Sequence, residues 1–224
     1  MMIIALPKSA STSLMWSIAK ALKIKYQNGI SRVKDDPELR CEGFPEIQKF
    51  YGTTSKRTLE FLRLWIGRRD VIYKEHLLPT KEHIEYVRKI NKPVIILTRF
   101  PTESVDNHKR TIQAYHDGKL TAKEKRGLVI EQMILLDMDE LQKDFEAFNT
   151  GWIDAKLPNA LYITFDELVL YPHVTLKKVL NHLGYKTKYR KLDLLKAKGN
   201  RGDYNTYTGV GEKRLKEKLN GRNT

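Results

Sequence analysis

The chain has 224 residues, 41% of them hydrophobic and 9% aromatic, which supports one well-buried domain and excludes a disordered polymer. Lysine and arginine number 41 against 27 acidic residues, and the net charge of +14 predicts anionic partners without choosing among nucleic acid, acidic membrane and polyphosphorylated small molecules. The one cysteine, Cys41, excludes an internal disulfide framework and fits a reducing compartment, and no histidine or cysteine cluster has zinc-ligand spacing.

The first element is a short apolar strand over residues 2–6, too short for a membrane or signal helix and interrupted by Pro7-Lys8. It runs into Pro7-Lys8-Ser9-Ala10-Ser11-Thr12-Ser13 and then into helical spacing over residues 14–23. A strand, a tight polar loop and a helix start make an anion pocket, because the first helical N–H groups lack internal partners and sit at the positive end of the helix dipole. Ser11, Thr12 and Ser13 add hydroxyl donors and Lys8 a mobile ammonium; the alternative is that the Ser/Thr run only caps the helix. The loop is not the common nucleotide-binding P-loop, since Lys8 comes early and no glycine is present.

Further along, Leu59, Leu62, Leu64 and Trp65 suggest a helix before Gly67, and Val71-Ile72-Tyr73-Lys74 reads as a short strand. A helix over residues 80–90 follows Pro79, with Thr80 as N-cap, and residues 94–98 form a third apolar strand. Residues 121–148 predict a long amphipathic helix, continuous or broken, residues 161–164 a strand, and residues 174–183 a helix ending at Gly184. Strands alternating with helices imply an α/β fold with a largely parallel sheet, whose ligand sits outside the carboxyl ends of the strands. Those ends deliver Lys8, Lys74, His76 and Arg99 to one rim. The expectation is one domain over residues 1–224, with a basic C-terminal helix and tail over 209–224, in a cytoplasmic protein without a transmembrane segment.

Four separated segments then resemble the sulfotransferases that use 3′-phosphoadenosine 5′-phosphosulfate (PAPS). The opening loop is similar to their Pro-Lys-Ser-Gly-Thr-Thr-Trp, and Lys74-Glu75-His76-Leu77-Leu78-Pro79 to their Lys-Thr-His-Leu-Pro. Arg99-Phe100-Pro101 begins the third segment, and Ala197-Lys198-Gly199-Asn200-Arg201-Gly202-Asp203-Tyr204 resembles Arg-Lys-Gly-x-x-Gly-Asp-Trp. Between the last two, residues 161–168 resemble the family's strand and acidic turn. The departures are Ala10 for the loop glycine, tolerable only if that position avoids positive φ, Ser13 for a base-stacking Trp, Phe165 for a base-contacting Tyr, and Ala197 for an Arg.

The resemblance implies a three-layer P-loop-like fold and sulfonate transfer from PAPS to a hydroxyl or amine acceptor, leaving adenosine 3′,5′-bisphosphate, with no metal. His76 would be the general base, Lys8 would neutralise the leaving phosphate, and Lys74 would steady the transferring group. Lys8, Ser9, Ala10, Ser11, Thr12 and Ser13 would hold the 5′ side of the nucleotide. Arg99, with Lys198, Gly199 and Arg201, would hold the 3′-phosphate; the alternative for Arg99 is a surface ion pair with Glu103. Counting from Arg99 places Asn107 where the family has its phosphate-binding Ser, with Ser104 as the fallback, and Phe165 falls at the base. Glu75 is expected to point away from the Lys74 and His76 face.

Two other classes compete. An ATP-dependent kinase requires Mg²⁺ and a strand-end Asp, whereas these strands end in Lys, Arg or His except near Asp166. A nucleic-acid binder requires a basic stripe with stacking aromatics, whereas the basic residues here are dispersed apart from the Lys213-Arg214-Lys216-Lys218 cluster, which reads as a solvated helix face. No specific nucleic-acid partner is expected. The acceptor and the oligomeric state are not encoded in any readable pattern.

Overall fold

The computed structural model describes residues 1–28, 43–51, 68, 70–118 and 133–185. Among them, β1 (Met2–Ala5), β2 (Lys25–Asn28), β3 (Val71–Glu75), β4 (Val94–Thr98) and β5 (Ala160–Thr164) form one sheet in the order β2-β3-β1-β4-β5. Every pairing is parallel. The helices of the described residues are α1 (Ser11–Leu22), α2 (Pro45–Tyr51), α3 (Lys81–Ile90), α4 (Pro101–His116), α5 (Met138–Asp154), α6 (Phe165–Leu170) and α7 (Pro172–His182).

Strand alternation divides the core into two layers, because successive side chains leave a strand on opposite faces. Ile4, Tyr73 and Ile96 pack on one side with Ile47 of α2, Val87 of α3, Val105 of α4 and Phe145, Phe148 and Trp152 of α5. Ile3, Ile72, Ile95 and Leu97 pack on the other with Leu14 and Ile18 of α1, Leu168 of α6 and Val179 of α7. The central strands are therefore apolar on both faces, as buried parallel strands must be. This is the expected three-layer α/β architecture. With β1 central, the segments leaving β1, β3 and β4 all open at the same carboxyl rim.

The edge strand β2 has no counterpart in the sequence reading. Its residues, Lys25-Tyr26-Gln27-Asn28, are polar, and Lys25 and Tyr26 are exposed, so hydrophobic patterning carries no signal there. The helical stretch expected over residues 121–148 is broken within its described part, where residues 133 and 134 are helical and 135–137 are not. The helix resumes at Met138, where the Asp137 carboxylate accepts from Asp139 N–H and Glu140 N–H, and continues to Asp154. Thr80 caps α3 as expected, its Oγ1 accepting from His83 N–H at 3.3 Å. The helix proposed around Leu59–Trp65 and the basic tail over 209–224 lie outside the described residues.

Candidate functional site

The loop after β1 is the most constrained backbone in the region. Leu6 N–H still bonds Leu97 O at 2.9 Å, and then both Lys8 and Ala10 adopt left-handed conformations with φ of 63°. For an L-residue that conformation costs about 1–2 kcal/mol, so the condition that Ala10 avoid positive φ is not met, and the loop holds strain at two places. Ser9, fully buried between them, offsets part of it by donating its hydroxyl to Leu6 O at 2.6 Å. The consequence is that Ala10, not a serine, occupies the N-cap of α1.

Among the described residues no side chain caps α1, and its first turn carries no acid. The reading of the Ser/Thr run as a simple cap is therefore not what the structure shows. Ser13 is 1% exposed and its Oγ has no hydrogen-bond partner among the described residues. A helix start with positive dipole, uncapped N–H groups and hydroxyls suits an anion.

Arg99, at the end of β4, ties three strand ends together. Its Nη1 donates to Lys8 O at 2.7 Å, its Nε pairs with Glu103 Oε2 at 3.3 Å, and its Cζ lies 3.9 Å from the centre of the Phe165 ring. Phe165 opens α6 directly after β5 and packs on Ala10. The ion pair with Glu103 is real but not a surface one, since the Arg99 side chain is only 8% exposed. Burial lowers the guanidinium pKa from its ordinary value, with Glu103 opposing and Arg110 adding to the shift, yet arginine remains a cation at any working pH. Phe165, with a ring face under Arg99, is part of this tie.

On α4, Ser104 is fully buried and Asn107 half-buried, three residues apart on one side of the helix. Ser104 Oγ and Asn107 Oδ1 have no hydrogen-bond partners among the described residues. Asn149 of α5 donates from Nδ2 to Arg99 O at 2.8 Å, fixing α4's entry against α5. His108 is fully buried, its Nδ1–H donating to Ser104 O at 2.8 Å. Burial, then the nearby Lys8 cation, push its pKa down to about 3, so it is neutral.

At the end of β3, Lys74 is half-buried and in register with Ile3 of β1. His76 Nδ1–H donates to Ala5 O at 2.6 Å, which orients the ring against the last residue of β1 and puts the acceptor lone pair on Nε2. Glu75 turns to the opposite face, as expected from alternation, and is 2% exposed. The segment that follows is held by α5, where Trp152 Nε1–H donates to Leu77 O at 2.8 Å and Gly151 lets Pro79 pack against the helix backbone.

The structure thus brings Lys8, Ala10, Arg99 and Phe165 into one contact set, and sets His76 against the strand that delivers Lys8. Ser9, Ser11, Thr12 and Ser13 surround the same turn, with Ser104 and Asn107 on the helix that Arg99 introduces. Lys198, Gly199 and Arg201 lie outside the described residues. His108 and Asn149 are polar residues of this region that sequence reasoning missed. Only His108 carries a local signal, its i+4 spacing from Ser104.

The fold is shared with a solved sulfotransferase from Alicyclobacillus acidocaldarius, at a TM-score of 0.51 and 15% identity, over 98% of this chain and 95% of that one. A mouse sulfotransferase, SULT7A1 complexed with PAP, gives a TM-score of 0.46 and 17% identity over 84% of this chain, which spans 59% of the mouse protein. No family model matches the sequence, and no curated protein matches it. Among the described residues no helix is long and apolar enough to cross a membrane.

Proposed function

We propose that this chain is a sulfotransferase that moves a sulfonate group from PAPS to a hydroxyl or amine acceptor. The observation that supports it best is the rim on which β1, β3, β4 and β5 are tied: His76 to Ala5, Arg99 to Lys8, and Phe165 to both Arg99 and Ala10. The donor set fits a doubly anionic nucleotide: an uncapped helix start without acids, the half-buried Lys8 and the 8%-exposed Arg99 side chain, and buried Ser13 and Ser104 hydroxyls lacking partners among the described residues.

PAPS, when bound, supplies an activated sulfonate and a phosphate leaving group. The rest falls to the chain. The first N–H groups of α1, with Lys8 and the Ser9, Ala10, Ser11, Thr12 and Ser13 segment, would hold the 5′ side; Ser9 contributes backbone, since its hydroxyl is committed to Leu6 O. Arg99, with Ser104 or Asn107 and the Lys198, Gly199 and Arg201 segment, would hold the 3′-phosphate. Phe165 serves this arrangement by backing the Arg99 guanidinium. His76 Nε2 would take the proton from the acceptor hydroxyl, Lys74 would steady the sulfonate oxygens, and Lys8 would neutralise charge on the departing phosphate.

Calorimetric titration with adenosine 3′,5′-bisphosphate tests the reading. The wild type is expected to bind, and Arg99→Ala to weaken binding about 10- to 100-fold, the equivalent of one charged hydrogen bond. His76→Ala is expected to bind as the wild type does while losing turnover. Absence of binding by the wild type overturns the proposal.

A further inference from the structure

The guanidinium of Arg99 is divided between two tasks. It has five N–H donors in a rigid fork. The Nε donor goes to Glu103 Oε2 and one Nη1 donor to Lys8 O at 2.7 Å, while Nη2 has no acceptor among the described residues. The residue is fixed in the remaining directions as well. Phe165 lies 3.9 Å under the Arg99 Cζ, and Asn149 Nδ2 donates to the Arg99 carbonyl at 2.8 Å.

The bond to Lys8 O falls on the peptide that opens the left-handed turn. Lys8 and Ala10 both have φ of 63°, with Ser9 between them, and a residue other than glycine resists that conformation at each place. A trans peptide is planar, with its N–H opposite its C=O, so drawing the Lys8 carbonyl to Arg99 turns the Ser9 N–H the other way. From there on, the N–H groups of Ser9, Ala10, Ser11, Thr12 and Ser13 have no acceptor among the described residues. Five successive unused donors at the dipole-positive start of α1 make a backbone cradle of the kind that holds an anion. The neutral supports of this turn are the Ser9 hydroxyl on Leu6 O and Phe165 against Ala10. Arg99 supplies a charged one, from 91 residues away.

We propose that Arg99 is a positioning residue for the 5′ side of the nucleotide: through the Lys8 carbonyl it holds the donor cradle in shape, which leaves its Nη2 edge for the 3′-phosphate. The inference rests on the nucleotide reading above. It makes the two phosphates partners, because the side chain that receives one also shapes the cradle for the other.

The probe that separates the two tasks is 5′-AMP, which has the 5′-phosphate and lacks the 3′-phosphate. Arg99→Met removes the guanidinium and keeps an apolar side chain over Phe165. Were Arg99 to serve the 3′-phosphate alone, 5′-AMP would bind the variant as it binds the wild type. The expected result is binding of 5′-AMP weakened about 10-fold in Arg99→Met. NMR relaxation of the backbone amides in the ligand-free chain supplies the second readout. Order parameters of about 0.85 are expected at Ser9 and Ala10 in the wild type, falling below about 0.6 in Arg99→Met. Equal affinity for 5′-AMP overturns the proposal, and so does weaker binding with an unchanged loop, the outcome of plain charge attraction. A wild-type loop that is already flexible overturns it without any variant. Wild type that binds adenosine 3′,5′-bisphosphate but not 5′-AMP does the same, since a preformed cradle needs no 3′-phosphate. Wild type that binds neither nucleotide refutes the functional reading instead, so the two failures are told apart.

Discussion

His108 gives the most quantitative prediction. It is fully buried on α4, bonded through Nδ1 to Ser104 O, and close enough to Lys8 and Arg99 that both cations oppose its protonation. Its pKa falls from 6.5 to about 3 on folding, chiefly through burial. In the window between those values the unfolded chain binds a proton that the folded chain does not, so stability rises with pH there and is lost as pH falls below 6.5. The slope is about 1.4 kcal/mol per pH unit, which amounts to about 2 kcal/mol between neutrality and roughly pH 5. Urea unfolding at several pH values measures it directly. Wild-type slopes also contain His83, whose pKa is lowered by the same mechanism, so the informative quantity is the difference between the wild type and His108→Phe or His108→Gln. The Phe variant loses the hydrogen bond to Ser104 O and the Gln variant the ring against Phe145, so each is less stable at neutral pH, but its pH slope should be shallower by the stated amount. Parallel stability curves for wild type and variants between roughly pH 5 and 7 would refute the burial argument.

Two further substitutions probe the scaffold of the site. Gly151→Ala would place a methyl carbon 2.6 Å from Pro79 Cγ, a rigid ring atom, so the overpacking cost of about 1–3 kcal/mol should outweigh the ~0.5–1 kcal/mol gained in helix propensity. A lower urea midpoint is expected, and an unchanged or higher one contradicts the close approach. Ala10→Gly should relieve about 1–2 kcal/mol of left-handed strain against ~0.4–1 kcal/mol of added unfolded-state entropy, leaving the protein equally stable or slightly more so. A loss of more than about 1 kcal/mol in that variant would mean that Ala10 does not sit at positive φ.

Legibility in the sequence followed the range of the interaction. β1, β3, β4 and β5 were readable because buried parallel strands are apolar on both faces, and that signal is local. Lys8, His76 and Arg99 were readable as candidates because each stands just past such a strand. β2 was not, since an exposed edge strand needs no hydrophobic pattern, and Lys25-Tyr26-Gln27-Asn28 has none. Nor was the left-handed turn at Ala10 readable, because steric preference alone argues for glycine there. What holds an alanine in that conformation is remote: Arg99 on the Lys8 carbonyl, 91 residues away, and Phe165 against Arg99 and Ala10.

The same distinction separates the candidate site from its supports. A local motif can name the imidazole, but the orientation of His76 depends on a carbonyl 71 residues earlier. The course of the segment after it depends on an indole 75 residues beyond Leu77. These are single hydrogen bonds, each worth about 1 kcal/mol, and too small to impose a sequence pattern on their surroundings. Their effect is geometric. They fix two rings and a guanidinium at the mouth of the sheet before any ligand arrives, so binding need not also order them, and that order is what a transfer reaction dependent on in-line placement requires.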